Sequence, residues 1–116
     1  MNLAQAYTFL VIAILLEITA TSFLKDTQGF TKWIPSLVCI IAVSICMYLM
    51  SHVMKIVPVG ITYATWSGLG IVAITIIGII KYKQVPNLAT IFGLSLIVIG
   101  VAIVNLMNDI KVEYLA

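Results

Sequence analysis

The chain has 116 residues, 63% of them hydrophobic and only 9% charged, and carries a net charge of +2. Too few charges remain to coat a soluble domain, so the expected solvent is the bilayer, and no nucleic-acid partner is expected. Four apolar segments follow one another, at about 3–24, 33–50, 59–80 and 88–107. Each is close to the ~20 residues that a helix needs to cross ~30 Å of hydrocarbon. The period-2 alternation of a barrel is absent, and backbone polar groups cannot face lipid unpaired, so all four are predicted to be helices.

The first segment, AYTFLVIAILLEITATSFL, lacks the basic start and A-x-A-like exit of a signal peptide and is expected to be retained. KDTQGFTK, with Gly29, ends it. SHVMKIVP separates the second segment from the third, with Pro58 near the start of that helix, and KYKQVPN separates the third from the fourth. Tyr7, Trp33, Tyr48 and Tyr82 fall near the expected interfaces, where amphipathic rings are favoured. Loops this short make neighbouring helices antiparallel and give one domain over 1–108, with a short polar tail at 109–116. Loops one and three hold Lys25, Lys32, Lys81 and Lys83, and the other side holds Lys55 and Lys111. That bias places loops one and three inside, but thinly, and is compatible with dual orientation.

Glu17 is the one acid inside these runs, and no Lys or Arg shares its segment. An ionised carboxylate there costs roughly 2.5–3.5 kcal/mol on insertion scales, which points to a proton-carrying or cation-binding site. Leu10, Ala13, Glu17, Ala20, Thr21 and Leu24 share a helix face. Ala13 and Ala20 are expected to keep space open around the carboxylate, and Thr21 offers a hydroxyl one turn away. On the third helix, Gly60, Tyr63, Ser67 and Gly70 form a stripe bordered by Trp66. Tyr63 and Trp66 present π faces to a cation, and the hydroxyls of Ser67 and Tyr63 are expected to hold the Glu17 carboxylate. The glycines permit close packing and a bend. Gly93 and Gly100, a heptad apart on the fourth helix, suit either dimer contact or packing within one subunit. Cys39 and Cys46 lie roughly 10 Å apart along their helix, beyond disulfide reach, and read as buried apolar groups. His52 has no partners at ligand spacing, so no metal is expected. An enzyme is not expected either, since no nucleophile–base set appears.

The intramembrane Glu17, the Lys25…GFTK turn, the TYATWSGLG run and GLSLIVIG together resemble the small multidrug resistance family. The resemblance covers the chain from Tyr7 to about Asn108. It implies a bacterial inner-membrane exporter, an antiparallel dimer of four-helix subunits that exchanges protons for organic cations. By that resemblance Glu17 binds proton or substrate in turn, and Tyr63, Trp66 and Ser67 line the pocket with it. Gly68 and Gly70 fall in the flexible part of the third helix, and Gly93 and Gly100 in the dimer seam. Guanidinium exporters of the family carry Trp three residues after the glutamate and Thr in a WTG motif. Ala20 and Ser67 stand at those positions here, which resembles the promiscuous quaternary-ammonium type. Many multidrug members have an aromatic where Val43 stands, and the tail DIKVEYLA matches no family pattern.

Four short helices cannot enclose a substrate and its whole path, so an oligomer is expected, most simply a homodimer. Burial and the second copy's Glu17 both act against the ionised carboxylate, so the site is expected to exchange protons near neutral pH. The proton is thus the expected coupling ion, with no other cofactor. The alternatives are a guanidinium or polyamine exporter, one subunit of a heteromeric pair, an accessory or flippase-type subunit, and a leak channel.

Overall fold

A computed structural model describes residues 1–107; the polar tail predicted at 109–116 lies outside them. α1 covers Leu3–Leu24, α2 Trp33–Val53, α3 Val59–Tyr82 and α4 Leu88–Leu106, with a 3₁₀ turn at Lys25–Thr27 between the first two. All four helices are long and apolar enough to cross a membrane. Many of their serines and threonines satisfy their hydroxyls within the helix. Thr8, Thr19, Ser44, Thr65, Ser67, Thr75 and Ser95 each donate to the carbonyl one turn back, the cheapest acceptor available inside a helix.

Local chemistry sets the helix ends. Asn2 and Gln5 form a reciprocal capping box at the start of α1, at 2.8 and 3.0 Å. The Asn87 side chain accepts from the Thr90 N–H at 2.8 Å to start α4. Between α1 and α2 the chain passes through three left-handed residues, Gln28, Gly29 and Phe30, and only the glycine adopts this without steric cost. Buried Thr27 pins that turn: its hydroxyl donates to the Leu24 carbonyl and accepts from the Phe30 N–H.

Two helices outrun the apolar segments that announced them. α2 continues past residue 50 to Val53 because Val53 is fully buried in the core, whatever the polarity of Ser51 and His52 before it. α3 continues past residue 80 to Tyr82 because Lys81 and Tyr82 bond back to the end of α1. It ends on Lys83 in the left-handed conformation, with the Gln84 N–H returning to the Gly78 carbonyl at 3.0 Å. α4 stops at Leu106, one residue short of the expected end.

α1 is the central helix, packed on α2 along one side and on α3 along the other, while α4 packs on α3. The core joins Ala6, Leu10, Ala13 and Ile14 of α1 to Cys46, Met50 and Val53 of α2, with Val57 and Ile61 closing it. No described residue of α4 is buried. It comes close to α3 at Gly68, where an added Cβ would sit 2.4 Å from Val101. Near one end a polar tie joins three helices: the Tyr7 hydroxyl donates to Asn105 Oδ1 (2.8 Å), and Asn105 Nδ2 donates to Thr65 Oγ1 (2.7 Å). Tyr7 and Tyr82 therefore spend their hydroxyls inside the bundle, whereas Trp33 (83% exposed) and Tyr48 (64%) face outward as interfacial rings do.

Candidate functional site

Glu17 sits on α1 where the helix passes between α2 and α3, and it is half-buried. Its Oε1 accepts from the Thr21 hydroxyl at 2.8 Å, one turn further along the same helix. Among the described residues the ion pair joins Lys81 to Asp26, and no cation pairs with Glu17. A charge-assisted hydrogen bond from a hydroxyl steadies a carboxylate without cancelling its charge.

The carboxylate borders two recesses. The first, between α1 and α2, holds about 350 Å³ and is lined by Glu17, Ala20 and Thr21 opposite Cys39, Ile40, Val43 and Ser44, with Leu24 and Phe30 at one end. The Cys39 thiol donates to the Ala20 carbonyl at 3.0 Å and draws the two helices together there. The second recess, between α1 and α3, holds about 220 Å³ and sets Glu17 and Thr21 opposite Tyr63, Trp66, Ser67, Gly70, Ile71 and Ile74. Tyr63 and Trp66 meet edge to face, with centroids 5.3 Å apart at 75°. Tyr63 remains 58% exposed, and the Trp66 indole N–H is buried without an acceptor among the described residues.

The sequence-predicted residues thus divide. Tyr63, Trp66, Ser67 and Gly70 of α3 meet Glu17 and Thr21 across one recess, and Ala20 with Thr21 borders the other. Ala13 is fully buried in the α1–α2 core instead. The hydroxyl on Glu17 is that of Thr21; the Ser67 hydroxyl donates to the Tyr63 carbonyl. That correction has a simple cause, since a carbonyl one turn back is always within a serine's reach in a helix. Gly68 is buried against α4, while a Cβ added at Gly60, Gly93 or Gly100 would meet nothing within 4 Å. Gly93 and Gly100 therefore do not serve close packing among the described residues. Cys46 lies in the core, and the His52 ring packs edge-on to Tyr48 at 4.8 Å.

The α1–α2 recess was the part that residue patterns missed. On its α2 side it is lined by Cys39, Ile40, Val43 and Ser44, and their pattern gives no signal because α2 is apolar on every side.

The chain is also similar in sequence to known proteins. The family model described as Small Multidrug Resistance protein matches residues 5–97. The chain is 47% identical over 102 residues to the quaternary ammonium compound-resistance protein QacC of Staphylococcus aureus, covering 88% of this chain and 95% of that protein. It is 47% identical over 104 residues to QacE of Escherichia coli, a protein of the same description, covering 90% and 94%. The multidrug resistance protein EbrA of Bacillus licheniformis is 40% identical over 100 residues, covering 86% and 95%.

Proposed function

Because the chain belongs to the small multidrug resistance family, we propose that it exports lipophilic and quaternary ammonium cations across a bacterial inner membrane in exchange for protons. The observation that carries this reading is the setting of Glu17, a half-buried carboxylate with a hydroxyl but no cation beside it, opening on two largely apolar recesses. An organic cation of low hydration loses little on entering such a site. The carboxylate supplies the countercharge and the apolar walls, Ile40 and Val43 on one side and Ile71 and Ile74 on the other, receive its hydrocarbon arms. Tyr63 and Trp66 add π faces, worth ~2 kcal/mol when desolvated.

Proton and cation compete for one carboxylate, so each displaces the other, and an empty ionised site is the costly state that neither side of the cycle favours. Two antiparallel copies in a homodimer bring both Glu17 residues to one chamber and complete the walls that a single subunit leaves open. The α4 faces carrying Gly93 and Gly100, open in the subunit, supply the seam. Bending of α3 about Gly68 and Gly70 exchanges access between the two sides.

The test is uptake of tetraphenylphosphonium into liposomes carrying the purified protein, with the interior acidic. Uptake that follows the pH gradient and stops when it is collapsed is expected. Uptake indifferent to the gradient contradicts the exchange.

A further inference from the structure

The α1–α3 recess runs along the line where two helices pack, and beyond its Thr21 and Ile74 end those helices meet through a compact polar cluster. The Lys81 ammonium lies 2.6 Å from Asp26 Oδ2 and 2.9 Å from the Ser22 carbonyl. The Tyr82 hydroxyl is 3.1 Å from both Asp26 Oδ1 and the Ser22 carbonyl, donating to one of them. The same ammonium stands 4.6 Å from the Phe23 ring centroid, and the Lys25 ammonium 4.6 Å from that of Tyr82. Lys81 follows Ile74 by about two helical turns, some 10 Å. The cluster therefore spans the gap between α1 and α3 at the end where a path from Glu17 would reach water.

Both ionic partners are more than a third exposed, at 37% and 38%. A pair so placed is weak enough to break and reform. Its counterpart at the far end, Tyr7–Asn105–Thr65, is uncharged and ties α4 as well. One end of the recess is thus held by a neutral three-helix tie and the other by an ionic two-helix one.

We propose that Asp26 and Lys81, with Tyr82 and the Ser22 carbonyl, form a latch that closes one end of the Glu17 recess and opens when α3 moves from α1. The latch rests on the transport reading above. It acts by positioning α3; neither residue touches cargo. Separation of α3 from α1 at this end exposes Ile74 to water, and closure shields it.

The experiment places a cysteine at Ile74 in a Cys39→Ser, Cys46→Ala background and measures labelling by a membrane-impermeant maleimide in lipid nanodiscs, where both faces are accessible. Lys81→Met is expected to speed labelling about three- to fivefold, the size of effect a half-exposed ion pair supports. Reversing the pair, Asp26→Lys with Lys81→Asp, is expected to bring the rate back to within about twofold of the parent. Labelling that Lys81→Met leaves unchanged or slows overturns the latch, as does a reversed pair that labels as fast as the single variant. Tetraphenylphosphonium added to the parent reports the transport reading separately. If it fails to slow labelling, that reading falls, while the comparison between parent, broken and reversed pairs still decides whether the ion pair governs opening.

Discussion

Glu17 and Asp26 are both acids of the α1 end of the chain, and the bundle treats them oppositely. Asp26 is answered by the Lys81 ammonium and the Tyr82 phenol, donors that it shares with the Ser22 carbonyl. Glu17 lies in the middle of an apolar helix, yet it is given one hydroxyl and two open recesses. An acid that a fold needs for its own cohesion is saturated with partners. One that is desolvated and left a single donor is kept for something that arrives from outside.

The contrast breaks most sharply under amide substitution. Glu17→Gln is expected to abolish gradient-driven tetraphenylphosphonium uptake, a loss of at least about a hundredfold, because among the described residues no other carboxylate borders the two recesses. The same substitution is expected to leave the thermal melt unchanged or higher, since it removes a desolvated charge. Asp26→Asn is expected to keep equilibrium cation binding within about twofold. Loss of binding in Asp26→Asn, or retention of uptake in Glu17→Gln, would erase the distinction between the two acids.

A second contrast separates glycines that look alike in sequence. Gly68→Ala drives a methyl into Val101 and is expected to destabilise the subunit by about 1–3 kcal/mol in a denaturation series. Gly100→Ala meets open space in the subunit, so its stability is expected to hold while dimer content, read by chemical crosslinking in membranes, falls. Equal melting of the two variants would remove the structural reason for treating them differently.

Thr21→Val tests the hydroxyl that donates to Glu17. Without that hydroxyl the ionised carboxylate loses a charge-assisted bond, so cation affinity at fixed neutral pH is expected to fall about five- to tenfold, as titration calorimetry would measure. The smallest effect is expected at Lys83, a non-glycine residue in a left-handed C-cap. Lys83→Gly removes that steric cost and is expected to stabilise the subunit by up to about 1 kcal/mol. A lower melting point would mean that the lysine side chain matters more than its backbone.

Legibility follows the range of each interaction. The four helices were readable because lipid demands long apolar runs, and Glu17 was readable because it interrupts one. Thr21 was readable too, one turn away on the same helix. Helix ends at Val53 and Tyr82 were not, because their cause is burial or bonding against another helix rather than local polarity. The Asp26–Lys81 pair joins residues far apart in the chain, as does Tyr7 with Asn105, and no pattern within a segment reports which helices meet. The membership of Ala13 in the core rather than the recess belongs to the same class, since α1 is apolar on all sides. Gly68 and Gly100 carry one sequence signal for two environments that only the placement of α4 separates.

In the proposed cycle one carboxylate, Glu17, serves both proton and cation. Its most direct test is proton release on adding tetraphenylphosphonium to detergent-solubilised protein in weak buffer near neutral pH, with Glu17→Gln alongside. Release from the wild type and none from the variant is expected. Cation binding without release, or release that survives the substitution, would contradict it.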